Sequence, residues 1–230
     1  MFVAMASISN YDKIFKPKYR VEIDNWIQNV KGKLDPITNM IPHKVDSKTG
    51  KSIQGARGSS MGLMLRMHGE IHPEFGHEQF ELYKTNFIST TFGLPSVREY
   101  PKGLDGSGDV DSRPVILGVG FSATIVSIGT LSMYNIQTLA NHQYKTVNAF
   151  GFDIKTSNQK WYLFRKLPMT DTFIAWGRAT DLNCGKGSSL DDSKYWRLKF
   201  HLISLLVLLF FWTLYSRKQI VKRIRTNTNS

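Results

Sequence analysis

The densest group of side chains able to bind a metal or move a proton is His68-Gly69-Glu70-Ile71-His72-Pro73-Glu74-Phe75-Gly76-His77-Glu78. On a helix, His68 and His72 share one face, the spacing at which two imidazoles reach one metal ion, and His77 is a third candidate ligand. The glutamate follows the first histidine by two residues rather than one, so the zinc-protease pattern is absent. Gly69 and Pro73 also interrupt a helix. Metal-dependent catalysis by this cluster stands as one alternative, against a solvated loop or helix entry.

A second candidate is Cys184, in Asn183-Cys184-Gly185-Lys186-Gly187. A nucleophilic thiol needs a base held by a third group, and His142 is merely the nearest histidine in sequence. A small buried or linker cysteine explains the residue without chemistry. Gly185-Lys186-Gly187-Ser188-Ser189 has the wrong glycine spacing for a phosphate loop. No pair of carboxylates stands out as an acid–base couple, and no cofactor is implied.

The best nucleic-acid candidate is the run Lys160-Trp161-Tyr162-Leu163-Phe164-Arg165-Lys166. Trp161, Tyr162 and Phe164 would stack on bases while Lys160, Arg165 and Lys166 hold phosphates, as on sheet surfaces that bind single strands. The glycine-bearing signature of the common RNA-recognition sheet is missing. A half-buried strand with charged ends accounts for the same run.

The elements that would position these residues follow from periodicity. Ile23, Trp26, Ile27 and Val30 recur at helical spacing, predicting a helix over Glu22–Lys31 with Gly32 as its stop. Residues 40–62 are polar and glycine-rich, hence loop-like. Phe80, Tyr83 and Phe87 predict a helix over His77–Phe87. Gly93–Pro114, broken by Pro95, Pro101, Gly103, Gly106 and Gly108, reads as a long loop, and loops of that length are often functional. Val115–Tyr134 is free of charge but carries three glycines and five hydroxyls. Its local alternation predicts buried strands, with a membrane span as the rival reading. Val147–Ile154 and Lys160–Leu167 read as two strands of a hairpin, and Phe173–Trp176 as another strand.

The C-terminal part has a different composition. Residues 194–230 contain eight basic and no acidic side chains, which is most of the chain's net charge of +12. The body is therefore only mildly basic, and a nucleic-acid reading from global charge is weakened. Leu198–Tyr215 is predicted to be a transmembrane helix, long enough for a thin bilayer such as the endoplasmic reticulum. Tyr195, Trp196, Trp212 and Tyr215 would sit at the membrane interface, with Arg217 and Lys218 beyond them. No secretory signal is visible at the N-terminus, so a tail anchor with a cytosolic body is expected although the flanking charge would orient it oppositely.

Over 230 residues, 41% hydrophobic and 21% charged side chains exclude wholesale disorder and a polytopic membrane protein, and one cysteine excludes a disulfide framework. The expected fold class is α+β: a helical N-terminal third (1–92), a Gly/Pro loop (93–114), a β-rich middle (115–183), a linker (184–197), a single C-terminal transmembrane helix (198–215) and a basic tail (216–230). The leading functional expectation is a non-enzymatic, membrane-anchored structural or interaction protein, with a membrane, a protein partner or further copies of itself as partners. Such a layout fits a small viral membrane-associated protein. The alternatives are a membrane-tethered RNA-binding protein and the metal-dependent enzyme above.

Overall fold

The computed structural model describes residues 1–91, 94–110, 112–151, 153–166, 168–183 and 196–227. They form two units, residues 1–188 and 189–230. The first opens with α1 (Phe2–Ile14) and α2 (Arg20–Lys31), the latter burying Ile23 and Ile27 and ending at Gly32 as its periodicity predicts. A minimal hairpin, β1 (Lys44–Val45) with β2 (Ser52–Gln54), leads into α3 (Gly58–Ile71) and α4 (Pro73–Phe87). Pro73 opens α4, where its missing N–H costs nothing, and His72 caps the turn by accepting from the Phe75 N–H at 3.3 Å. A four-residue hairpin follows, β3 (Ile88–Thr91) antiparallel to β4 (Leu94–Val97), pairing Ile88 with Val97.

The middle of the chain corrects the α+β expectation. The described part of residues 115–183 forms two two-residue hairpins, three α-helices and one turn of 3-10 helix: β5 (Val115–Ile116) with β6 (Val119–Gly120), α5 (Phe121–Met133), α6 (Gln137–Phe150), β7 (Ile154–Lys155) with β8 (Lys160–Trp161), the 3-10 turn Leu163–Arg165, and α7 (Pro168–Asn183). The predicted β-rich domain is therefore mostly helical, and among the described residues the predicted strands survive only as short ends: β5 with β6 at the start of Val115–Tyr134, and β7 with β8. The physical reason is visible in α5. Its hydroxyls bond to carbonyls of their own helix, Thr124 to Gly120 at 2.9 Å and Ser132 to Ile128 at 3.1 Å, so they satisfy themselves without a sheet. Thr130 donates instead to the Gly62 carbonyl of α3 at 2.6 Å. With both apolar and self-satisfied polar residues, α5 can be buried on every side. Residues 123–132 are all buried, and α5 packs against α3, α6 and α7 as the central helix of the body.

The rest of the core lies between α1, α2, α3 and α4, around Ile27, Met61, Leu65, Phe75, Tyr83 and Phe87. Gln79, itself buried, ties α4 to the preceding loop by accepting from Ile41 N–H and donating to the Asn39 carbonyl.

The second unit contains α8 (Trp196–Asn227). Among the described residues, no helix is long and apolar enough to cross a membrane. This corrects the transmembrane, tail-anchored expectation and the membrane localisation drawn from it. The part of α8 free of basic side chains runs from Leu202 to Ser216 and includes the polar Ser204 and Thr213; it is about 22 Å long at ~1.5 Å per residue. Lys199 and His201 precede it, and Arg217 and Lys218 follow. That length falls well below the ~30 Å of a hydrocarbon core. Of the expected interface residues, Trp212, Tyr215, Arg217 and Lys218 lie exposed on α8, Trp196 opens it, and Tyr195 lies outside the described residues. So does most of the predicted linker, Cys184 included.

Candidate functional site

The strongest concentration of interacting charge in the body gathers at the N-terminus of α3. The sequence places Gly58 where this helix must start against β4. A Cβ there would lie 1.9 Å from the Arg98 carbonyl oxygen, so only glycine allows this approach. The Gly58 N–H donates to the Glu99 carbonyl at 2.9 Å, and the Glu99 side chain turns back onto the same helix end. There it accepts from Ser59 Oγ at 2.8 Å and from the Ser59 N–H at 3.3 Å. A helix N-terminus offers free N–H groups and partial positive charge, which explains a carboxyl at this position.

Glu99 is fully covered. Burial pushes its carboxyl up to about 7, against the opposing effect of the Ser59 hydrogen bonds and Arg57; Asp109 adds to the rise. Asp109 behaves oppositely. Partial desolvation would raise its pKa, but the Ser112 hydroxyl and N–H and the Arg57 charge outweigh it and hold it below the ordinary carboxylate range. Arg57 Nη1 donates to Asp109 Oδ2 at 2.6 Å, while His43 Nε2 approaches the same oxygen at 3.7 Å. Arg57 also stacks over the Tyr100 ring at 5.2 Å, and the Tyr100 hydroxyl accepts from Gly108 N–H at 3.2 Å. The Asp109 and Ser112 pair closes its own turn through three short hydrogen bonds. The two carboxyls are thus shifted in opposite directions, Glu99 up and Asp109 down, with the buried Arg57 paired to Asp109 and acting on Glu99 through its charge. Asp109 is the exposed member and Glu99 the covered one.

Sequence reasoning found no carboxylate couple, because Glu99 and Asp109 are separated by a glycine- and proline-broken segment with no motif. The one usable signal was the length of that segment.

The predicted histidine cluster is dispersed over three tasks. His72 caps α4. His77 packs edge-on against Tyr134 with ring centroids 5.0 Å apart. His68 is fully buried between the rings of Phe2 and Phe75, each 5.3 Å away, with no hydrogen-bond partner for either ring nitrogen among the described residues. Burial, with smaller contributions from His72 and Lys31, lowers its pKa to about 4. Among the described residues, no three His, Cys, Asp or Glu side chains are grouped to hold a metal ion.

The predicted nucleic-acid residues stay close in space but turn toward one another. Arg165 stacks on the Trp161 ring at 3.8 Å. Lys160 pairs with Asp153 at 3.2 Å and donates to Asn148 Oδ1 at 2.8 Å. Tyr162 is buried, its hydroxyl donating to the same Asn148 oxygen at 2.8 Å. Phe164 and Lys166 remain exposed.

Comparison with known proteins adds no relative: no family, no curated protein and no solved structure matches the chain.

Proposed function

We propose that the chain is a non-enzymatic structural protein that self-associates through α8. One observation supports this reading: thirteen large apolar side chains of α8, from Leu198 to Tyr215, are each between 42% and 67% exposed. Eight of them, Leu205 to Trp212, are consecutive, so at 3.6 residues per turn they face every direction. Soluble chains rarely leave apolar surface of that extent uncovered.

The occupant follows from magnitudes. Covering half of this exposed surface is worth on the order of 10 kcal/mol, at ~1.5–3 kcal/mol per fully buried large side chain. Association itself costs ~4–15 kcal/mol. A single pair of helices is therefore marginal, and three or more copies packed side by side cover the stretch from several directions. Sedimentation of the full chain tests this. The expected result is a species of three or more copies that Leu206→Glu with Phe210→Glu converts to monomer. A wild-type chain that stays monomeric, or that instead binds vesicles of anionic phospholipid, overturns it.

A second reading rests on a different feature, the opposite pKa shifts that burial gives Glu99 and that Ser112 and Arg57 give Asp109. An acid and a base held apart in pKa by their surroundings is the arrangement used for general acid–base catalysis. Turnover of aryl glycosides or aryl esters, with a basic limb near pH 7 that Glu99→Gln abolishes, would favour it. No turnover across both panels would leave Glu99 as the anchor of α3 alone.

A further inference from the structure

We propose that Arg66 anchors a binding site for a small oxyanion, a carboxylate or a phosphate group, beneath Trp176 where α3, α5 and α7 meet. Arg66 lies on α3 and is only 3% exposed. Its Nη2 donates to Thr180 Oγ1 of α7 at 2.6 Å, and its guanidinium carbon sits 3.2 Å from the centre of the Trp176 ring. Nε and Nη1 have no hydrogen-bond partner among the described residues, and none of the ion pairs found there includes Arg66.

A buried guanidinium with no carboxylate partner among the described residues is unusual, because removing its hydration is repaid only by an opposite charge and by hydrogen bonds to its remaining donors. Burial lowers its pKa to about 10, so it still carries its charge at neutral pH. Thr180 takes one hydrogen of Nη2, which leaves a complete two-donor edge of the guanidinium. That planar edge matches two oxygens of a carboxylate or phosphate.

The surrounding backbone lets the guanidinium lie directly against a neighbouring helix. On α5, a Cβ at Gly129 would stand 2.6 Å from Arg66 Nη1. On α7, a Cβ at Gly177 would meet the Tyr144 hydroxyl at 3.2 Å. Gly129 thus admits the guanidinium against α5, and Gly177 lets α7 approach α5 at Gly129 itself. Trp176, 38% exposed, forms its outer cover, so an anion reaching Arg66 from solvent must pass beside this ring.

The test is thermal unfolding of the full chain with inorganic phosphate or with citrate, against chloride at equal ionic strength. The expected result is a saturable rise of about 5–10 °C at hundredfold excess over Kd for one of the two anions. Which anion acts separates a phosphate ligand from a carboxylate one. Arg66→Met should abolish the rise. Should that variant fail to fold, Arg66→Lys decides, because it keeps the charge and loses the planar edge: binding at least tenfold weaker supports the site. No response beyond chloride, or an equal response in wild type and either variant, overturns it.

Discussion

Two buried groups of the body make opposing contributions to acid stability, and separating them is a demanding test of the packing described. His68 titrates at about 4 in the folded chain against an ordinary 6.5. Between those values the unfolded chain holds a proton that the folded chain refuses, so stability falls as pH falls from 6.5 toward 4. Glu99 titrates at about 7 against an ordinary 4.5. Between those values the folded chain holds the extra proton, so stability rises as pH falls from 7 toward 4.5. Each effect has a slope of about 1.4 kcal/mol per pH unit, with opposite sign. From pH 6.5 to 5 the two nearly cancel, and wild-type stability should be almost flat. Glu99→Gln removes one slope, and the variant should lose about 2 kcal/mol over that interval. His68→Leu removes the other and should gain about 2 kcal/mol. Urea unfolding midpoints at half-unit pH steps measure both. Parallel profiles for the three proteins would refute the burial of these groups as the source of their shifts.

Gly58→Ala should destabilise the body by about 2–3 kcal/mol in urea unfolding, because the new methyl meets a backbone carbonyl rather than a movable side chain. Tyr83→Phe removes a fully buried hydroxyl that donates to the Gly58 carbonyl at 3.2 Å, and should cost about 1 kcal/mol in the same assay. Asp109→Asn should lower the pKa of Glu99, since it removes a neighbouring negative charge and frees Arg57 from its pair. Carbon-13 carboxyl titration reads that shift, and an unchanged Glu99 would show that the two groups do not interact.

How much of this was legible in the sequence varies by element. The helix at α2 was readable because Ile23, Trp26, Ile27 and Val30 repeat at one period and Gly32 ends the run. The helix at α4 was readable from Phe80, Tyr83 and Phe87, although its start lay four residues earlier, at Pro73. The middle of the chain misled for one reason. A fully buried helix has no polar face, so its hydropathy lacks a helical period, and the alternation of hydroxyls with apolar residues in α5 imitates a strand. In the same way, Phe173 and Trp176 belong to the α-helix α7, where residues three apart lie on one face. The histidine run was read as a unit because its members are close in sequence, yet a turn at His72 sends His68 and His77 to different helices. Conversely, Arg57, Glu99 and Asp109 are distant in sequence and meet only because Gly58 lets α3 abut β4. Arg66 gave no signal at all, since a lone arginine in an amphipathic helix ordinarily faces water.

The most direct test of the proposed self-association is sedimentation of the full chain across ionic strength. Residues 194–230 carry eight basic and no acidic side chains, so copies of α8 brought together repel electrostatically and attract through apolar contact. The account predicts assembly of three or more copies that strengthens as salt rises from about 50 mM to 500 mM, where screening leaves the apolar term. A monomer at every ionic strength, or assembly that dissolves as salt rises, would contradict it.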